Sequence, residues 1–249
     1  MGGTGPTGRT PLAVIRAGRV GYAAAEELQK KLVARRQAGE IPDVLLLLEH
    51  PAVITLGRNA KRENLLWDEA ALQERGVEVA ECDRGGDVTF HGPGQLVGYP
   101  IFDLRGCTRP AFLPARNGRL ELGPVDFVRA LEEVLIRVAA AAGVACQRLA
   151  GLTGVWTGDA PERKLAAMGI HVARGVTSHG FALNVNNDLA GFDAIIPCGI
   201  RDRGVTSLAR ETGRGWALDE AAALVEREFL SVFARNLADT RELWDDTRL

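Results

Sequence analysis

Apolar residues along this chain recur with two different periods. Within 22–36 they fall at Ala25, Leu28, Leu32 and Val33, the three-and-four spacing of an amphipathic helix. The spacing returns more strongly within 124–142, where Val125, Val128, Leu131, Val134, Leu135 and Val138 share one face. It returns again within 218–233, with Asp219 near the start as a candidate cap. Val44-Leu45-Leu46-Leu47-Leu48 is instead a continuous apolar run bounded by turn formers, which predicts a central strand over Asp43–Glu49. Segments 12–16, 53–56, 77–80 and 96–102 predict further strands, and 68–75 a short helix.

Two later segments carry candidate chemistry. Lys164 opens the run Leu165-Ala166-Ala167-Met168-Gly169, too short and too interrupted by glycine for a good helix, so 164–172 predicts a strand. A second strand is expected over 181–185, after which Ile195-Ile196 leads into a corner made by Pro197 and Gly199. Two neighbouring strands and a tight corner can return Cys198 to the side of Lys164, a nucleophile beside its base. A thiol titrates near 8.5 and an amine near 10.4, and an adjacent ammonium raises the thiolate fraction. The chemistry this suggests is acyl transfer through a thioester on Cys198. A cysteine between proline and glycine fits a small buried apolar residue as well. Of the 30 basic residues, only Lys30, Lys31, Lys61 and Lys164 are lysine. Lysine can serve as a base where arginine cannot.

The other chemical stretch is Arg84-Gly85-Gly86-Asp87-Val88-Thr89-Phe90-His91-Gly92-Pro93-Gly94-Gln95-Leu96. Its density of turn formers predicts an irregular loop that lets a ligand approach the main chain. Neither phosphate-loop spacing, GxxxxGK[ST] or GxGxxG, is present, and a glycine-rich hairpin without a ligand fits the same residues. His91, like His50, His171 and His179, reads by itself as a hydrogen-bonded structural histidine.

Composition narrows the function classes. A chain of 249 residues with 46% hydrophobic content can bury a full core as one large domain or two small ones. No repeat or long polar linker divides it, so one catalytic domain is expected over 11–237. It is flanked by a disordered Gly/Thr-rich segment, 1–10, and a polar tail, 238–249. The net charge of -2 argues against non-specific nucleic-acid binding. No apolar run is long enough for a membrane span, and no secretory signal is visible. Cys82, Cys107, Cys146 and Cys198 show no CxxC spacing and no metal pattern with the histidines, which fits free thiols in a reducing cytoplasm. The stretch 105–123, with Pro110, Pro114 and several arginines, predicts a surface loop.

Taken together, 84–96, 164–172, 179–186, Pro197-Cys198-Gly199-Ile200 and Gly204-Val205-Thr206-Ser207-Leu208 closely resemble the lipoyl(octanoyl) transferases. These are the octanoyl-[acyl-carrier-protein]–protein N-octanoyltransferases; the likeness runs over about 19–233 and includes His50-Pro51 and Thr55-Leu56-Gly57-Arg58. The resemblance implies an α/β (α+β) fold shared with biotin protein ligases and lipoate ligases, with mixed β-sheets flanked by helices. It implies transfer of an octanoyl group from octanoyl-acyl carrier protein to a lysine of lipoyl domains. Such domains occur in 2-oxoacid dehydrogenases and the glycine cleavage H protein. The family's thioester cysteine falls on Cys198, and the lysine that lowers its pKa on Lys164. Its substrate-binding segments fall on Arg84, Gly85, Gly86, Asp87, Val88, Thr89, Phe90 and His91, on Ala167-Met168-Gly169, and on Gly180-Phe181-Ala182. No cofactor is implied, since the acyl group arrives on the carrier's phosphopantetheine. Phe90 departs from the tyrosine frequent in the family. Two competing readings are an ATP-dependent lipoate or biotin ligase on the same fold and a non-catalytic copy; the latter would be expected to have lost Lys164 or Cys198.

Overall fold

The leucine-rich run decides the layering. Val44, Leu46 and Leu48 enter one apolar cluster while Leu45 and Leu47 enter another, so the strand that carries them has a layer on each face. The structure, a computed structural model, describes residues 10–114, 122–197 and 203–238. Its elements begin with β1 (Thr10–Arg19), α1 (Tyr22–Gln37), β2 (Asp43–Glu49), β3 (Val53–Leu56), α2 (Glu69–Glu74), β4 (Glu78–Glu81), β5 (Val88–His91) and β6 (Gln95–Ile101). They continue with α3 (Pro124–Ala141), β7 (Cys146–Leu149), β8 (Leu152–Thr157), β9 (Lys164–Ala173) and β10 (Val176–Asn184). Last come α4 (Leu208–Thr212), α5 (Leu218–Val232) and β11 (Arg235–Leu237).

Eight strands form one mixed sheet in the order β11-β1-β2-β6-β10-β9-β8-β7, and three form a second, β4-β3-β5. One face of the large sheet packs on α3 and α5 through Phe127, Val134, Leu135 and Phe229. The other face meets Leu28 and Leu32 of α1. The small sheet has its own cluster around Ile54, Leu72, Val88 and Phe90. Among the described residues, no helix is long and apolar enough to cross a membrane.

The structure departs from expectation where local pattern competes with long-range pairing. Asp219 does not cap α5: Ala217 holds that position without a side-chain bond, and Asp219 lies in the first turn, where the helix dipole favours a carboxylate. The glycine-rich stretch contains a regular strand, β5, paired antiparallel with β3. The hairpin β7–β8 was not foreshadowed, because its short strands carry Gln147 and Arg148 among few apolar positions. The stretch 105–123 is more than a surface loop: Cys107, Leu113 and Leu122 are buried, and Arg109 Nη1 donates to Asp126 Oδ2 at 2.6 Å. Thr10 already belongs to β1, opposite Arg235. Residues 1–9 and 239–249, expected as loose ends, lie outside the described residues, as do 115–121.

Asp43 pins the large sheet's edge. It is 1% exposed and accepts from Arg36 Nε at 2.9 Å, Arg235 Nη2 at 2.8 Å and Asp103 N at 3.0 Å. Removing one partner of a buried pair leaves the other charge uncompensated, so Asp43→Ala is expected to lower the unfolding free energy by about 3–5 kcal/mol in urea titrations. A loss below about 1 kcal/mol would place this cluster with exposed ion pairs.

Candidate active site

A narrow pocket lies between the two sheets. The reason lies in the β9–β10 register, which sets Ala167 opposite Ala182 and Gly169 opposite Gly180. Alternate residues share a face. That face therefore presents two methyl groups and two bare backbones where the small sheet approaches, and the space stays open. The opposite wall is Thr89 and His91 of β5 with Arg84 and Gly86 of the preceding loop. Tyr22, Val97, Tyr99 and His179 complete the lining.

Not every expected binding residue faces this pocket, and strand alternation says why. Thr89 and His91 point in, so Val88 and Phe90 point out, into the small-sheet cluster, where Phe90 packs edge-on against Phe192 at 5.6 Å. Asp87 turns away to clamp the loop: its carboxylate accepts from Lys61 N and Asn64 Nδ2. Gly85 serves through its main chain, donating to Ile170 O at 2.9 Å. A side chain at Gly169 would place Cβ 2.4 Å from Gly85 O, so glycine there lets the loop lie on the sheet. Met168 and Phe181 border the pocket but pack into the core on the α3–α5 side, Phe181 stacked on Phe229.

The polar wall is a connected network. Arg84, 8% exposed, donates to Thr55 O at 2.7 Å, Thr55 Oγ1 at 2.9 Å and Gly85 O at 3.2 Å, all neutral acceptors. Gln95 Nε2 donates to Asn184 Oδ1 at 2.9 Å, so its oxygen faces His91 Nδ1, which donates to it at 2.8 Å. Asn184 Nδ2 donates to Thr206 O, and Thr206 N to Lys164 O, each at 2.9 Å. The imidazole in the pocket is thereby tied to the backbone of the lysine. Behind it, His50 Nδ1 donates to Val20 O, leaving Nε2 to accept from Tyr99 Oη, each at 2.7 Å. Burial pushes His91 down to about 3 and His50 down to about 4, so both rings are neutral near pH 7.

Lys164 is the first residue of β9 and only 5% exposed. Its Nζ lies 4.7 Å from the centre of the Trp156 ring, a cation held over an indole face. Gly154, at φ +133, leaves room for it: a Cβ there would come within 3.4 Å of Lys164 Cε and 2.9 Å of Ala166 O. Lys164 N donates to Gly204 O at 2.9 Å, and Pro197 lines the same small cavity as Lys164. Cys198 lies outside the described residues, but chain on either side of it borders the lysine. Thr89, Ala167 and Ala182 line both cavities, so the lysine's cavity adjoins the larger pocket. Sequence reading missed Tyr22, Tyr99, Trp156 and the Gln95–Asn184 link. Gln95, four residues after His91, was the one available local signal.

The lipoyl protein ligase A/B catalytic domain model matches residues 21–230. An octanoyltransferase of Koribacter versatilis is 50% identical over 222 residues, covering 89% of this chain and 84% of that protein. One from Acidobacterium capsulatum is 54% identical over 219 residues, covering 87% and 85%. Among solved structures, the bi-partite lipoate protein ligase of Thermoplasma acidophilum superposes with a TM-score of 0.69 at 16% identity, covering 96% of this chain and 92% of that one. That last likeness concerns the fold alone.

The buried histidines make stability depend on pH. Their folded pKa values lie below the unfolded value of about 6.5, so the unfolded chain binds the extra protons. Their contribution is complete above that value and declines as pH falls toward about 4 and about 3. His50 and His91 together, as two protons, give a slope of at most about 2.7 kcal/mol per pH unit, and burial lowers His179 in the same direction. Urea titrations at about pH 7, 6 and 5 should show this decline, and His91→Gln should remove about half of the slope. An unchanged slope in that variant would mean other groups carry it.

Proposed function

The chain belongs to the lipoyl protein ligase A/B catalytic family, and we propose that it is an octanoyltransferase that loads lipoyl domains from octanoyl-acyl carrier protein. The observation that carries this reading is a buried lysine whose small cavity adjoins, across Thr89, Ala167 and Ala182, a narrow pocket between Ala/Gly pairs. An alkyl chain suits that space. Each buried methylene contributes about 0.8 kcal/mol, so chains that fill it gain over shorter ones.

In the first half-reaction the Cys198 thiolate attacks the carrier's thioester carbonyl. The bond to the pantetheine sulfur breaks, and the leaving thiolate takes a proton from the Lys164 ammonium. An octanoyl thioester on Cys198 and a neutral Lys164 result. In the second, the acceptor lysine's amine attacks that thioester, Lys164 takes its proton, and the Cys198 thiolate leaves. Both residues end as they began. The carrier thioester already supplies the activation, so the exchange needs no nucleotide. The donor arm and the acceptor lysine reach the same carbonyl in turn, which requires two partners, neither a nucleic acid nor a membrane, to use one mouth beside Lys164. Support for the assignment is chemical: a buried lysine over Trp156 is bonded through its backbone to the chain that follows Cys198.

Mixing the protein with octanoyl-acyl carrier protein should give a mass gain of one octanoyl group, and Cys198→Ser should abolish it; an adduct persisting on another residue would refute the assignment. Lys164→Arg keeps the charge but cannot accept a proton, so transfer to a lipoyl domain should fall by about 100-fold or more. Near-normal turnover would mean that charge alone suffices.

A further inference from the structure

His179 lines the pocket between the sheets, and it also lines an outer cleft that carries Glu26, Lys30, Arg58 and Asp83. The residue is held in an unusual way. It sits at φ +54 in the middle of β10, a conformation that side-chain-bearing residues rarely adopt, while the ladder to β9 keeps its register on both sides. Its backbone N–H donates to Gln29 Oε1 at 2.7 Å, and its Nε2 lies 2.7 Å from Asp83 Oδ1. The ring stands edge-on to Tyr99 at 6.2 Å. A helix residue thus fixes the backbone, and a carboxylate and an aromatic ring fix the imidazole, between two cavities.

Strand geometry gives the distance it guards. Ala182 borders the Lys164 cavity, and His179 lies three residues back along the same strand. At about 3.3 Å per residue that is a span of about 10 Å. An extended eight-carbon acyl chain, with zigzag C–C bonds of about 1.5 Å, is about 9 Å long. The two lengths are similar.

We propose that His179, clamped by Asp83 and Gln29, is the stop that ends the acyl pocket and sets the chain length transferred, and that the cleft behind it admits longer chains once the ring is gone. This rests on the octanoyl-transfer reading above. The charged rim limits the gain, since methylenes that pass the opening meet ionic groups and water rather than an apolar wall.

The test uses acyl-carrier proteins charged with even chains from about C6 to C14, read as acyl adduct by intact mass and as initial transfer rate. His179→Gly is the informative variant, because glycine takes the positive φ without strain. The ratio of C12 to C8 transfer should rise by about tenfold or more. Asp83→Ala, whose side chain is half exposed, loosens the ring without touching the pocket and should move the ratio the same way by less. An unchanged chain-length profile in either variant, with native circular dichroism and octanoyl still transferred, would overturn the stop. If His179→Gly does not fold, Asp83→Ala decides alone. A wild-type protein that takes up no acyl group of any length removes the transfer reading itself, and the stop with it.

Discussion

Everything in the site depends on a sheet face that cannot cover itself. Where Ala167 meets Ala182 and Gly169 meets Gly180, β9 and β10 offer the small sheet almost no side-chain volume. A protein interior normally fills such space, because a void forfeits dispersion contacts. Here the loop of Arg84 and Gly85 comes to rest on the Gly169 backbone, while β5 holds its own distance through the cluster around Phe90 and Phe192. The small sheet is thus supported at its margins and spans the gap.

The polar groups around that gap show how a cavity can be both apolar enough for an alkyl chain and tied to a reacting centre. Burial holds His91 and His50 neutral, so they serve as fixed hydrogen-bonding joints and not as charges. Gln95 and Asn184 carry the connection from His91 to the main chain at Thr206, which is bonded in turn to Lys164. Among the described residues, Arg84 is bound by neutral oxygens, and Lys164 and Arg203 stand by the Trp156 ring. Desolvated cations beside a cavity stabilise negative charge that develops in it, which acyl transfer requires at the carbonyl oxygen.

Much of this was legible in the sequence, for identifiable reasons. β2 was readable to the residue because a strand buried on both faces needs no alternation, and the run of leucines could be little else. Lys164 at the head of a strand followed from the glycine that spoils a helix there. The failures share a different cause. β5 hides among glycines, and its alternation only becomes meaningful once β3 is known to pair with it. Applied to 84–91, that same alternation separates Thr89 and His91 from Val88 and Phe90, which the motif taken as a block did not. Asp219 near the start of a helix resembled a cap, yet one position decides between capping and merely favouring the dipole. His179 is hydrogen-bonded as expected, but nothing local signals its left-handed backbone within a strand.

Where selectivity resides follows from the same ladder. Lys164 and the residue opposite His179, Ile170, belong to one strand, β9, and Ala182 and His179 to its partner, so the two ends of the acyl space are fixed by backbone register. A wall residue such as Val97 can change how tightly a chain is gripped, but it cannot move either end. Register can shift only by whole residues, and a shift of one in β9 would turn Ala167 to the other face while Ala182 stayed. A ruler built on paired strands therefore resists small sequence changes along its length and responds mainly to what stands at its terminus. In this protein the terminus is a single ring held by Asp83 and Tyr99, on a backbone tied to Gln29.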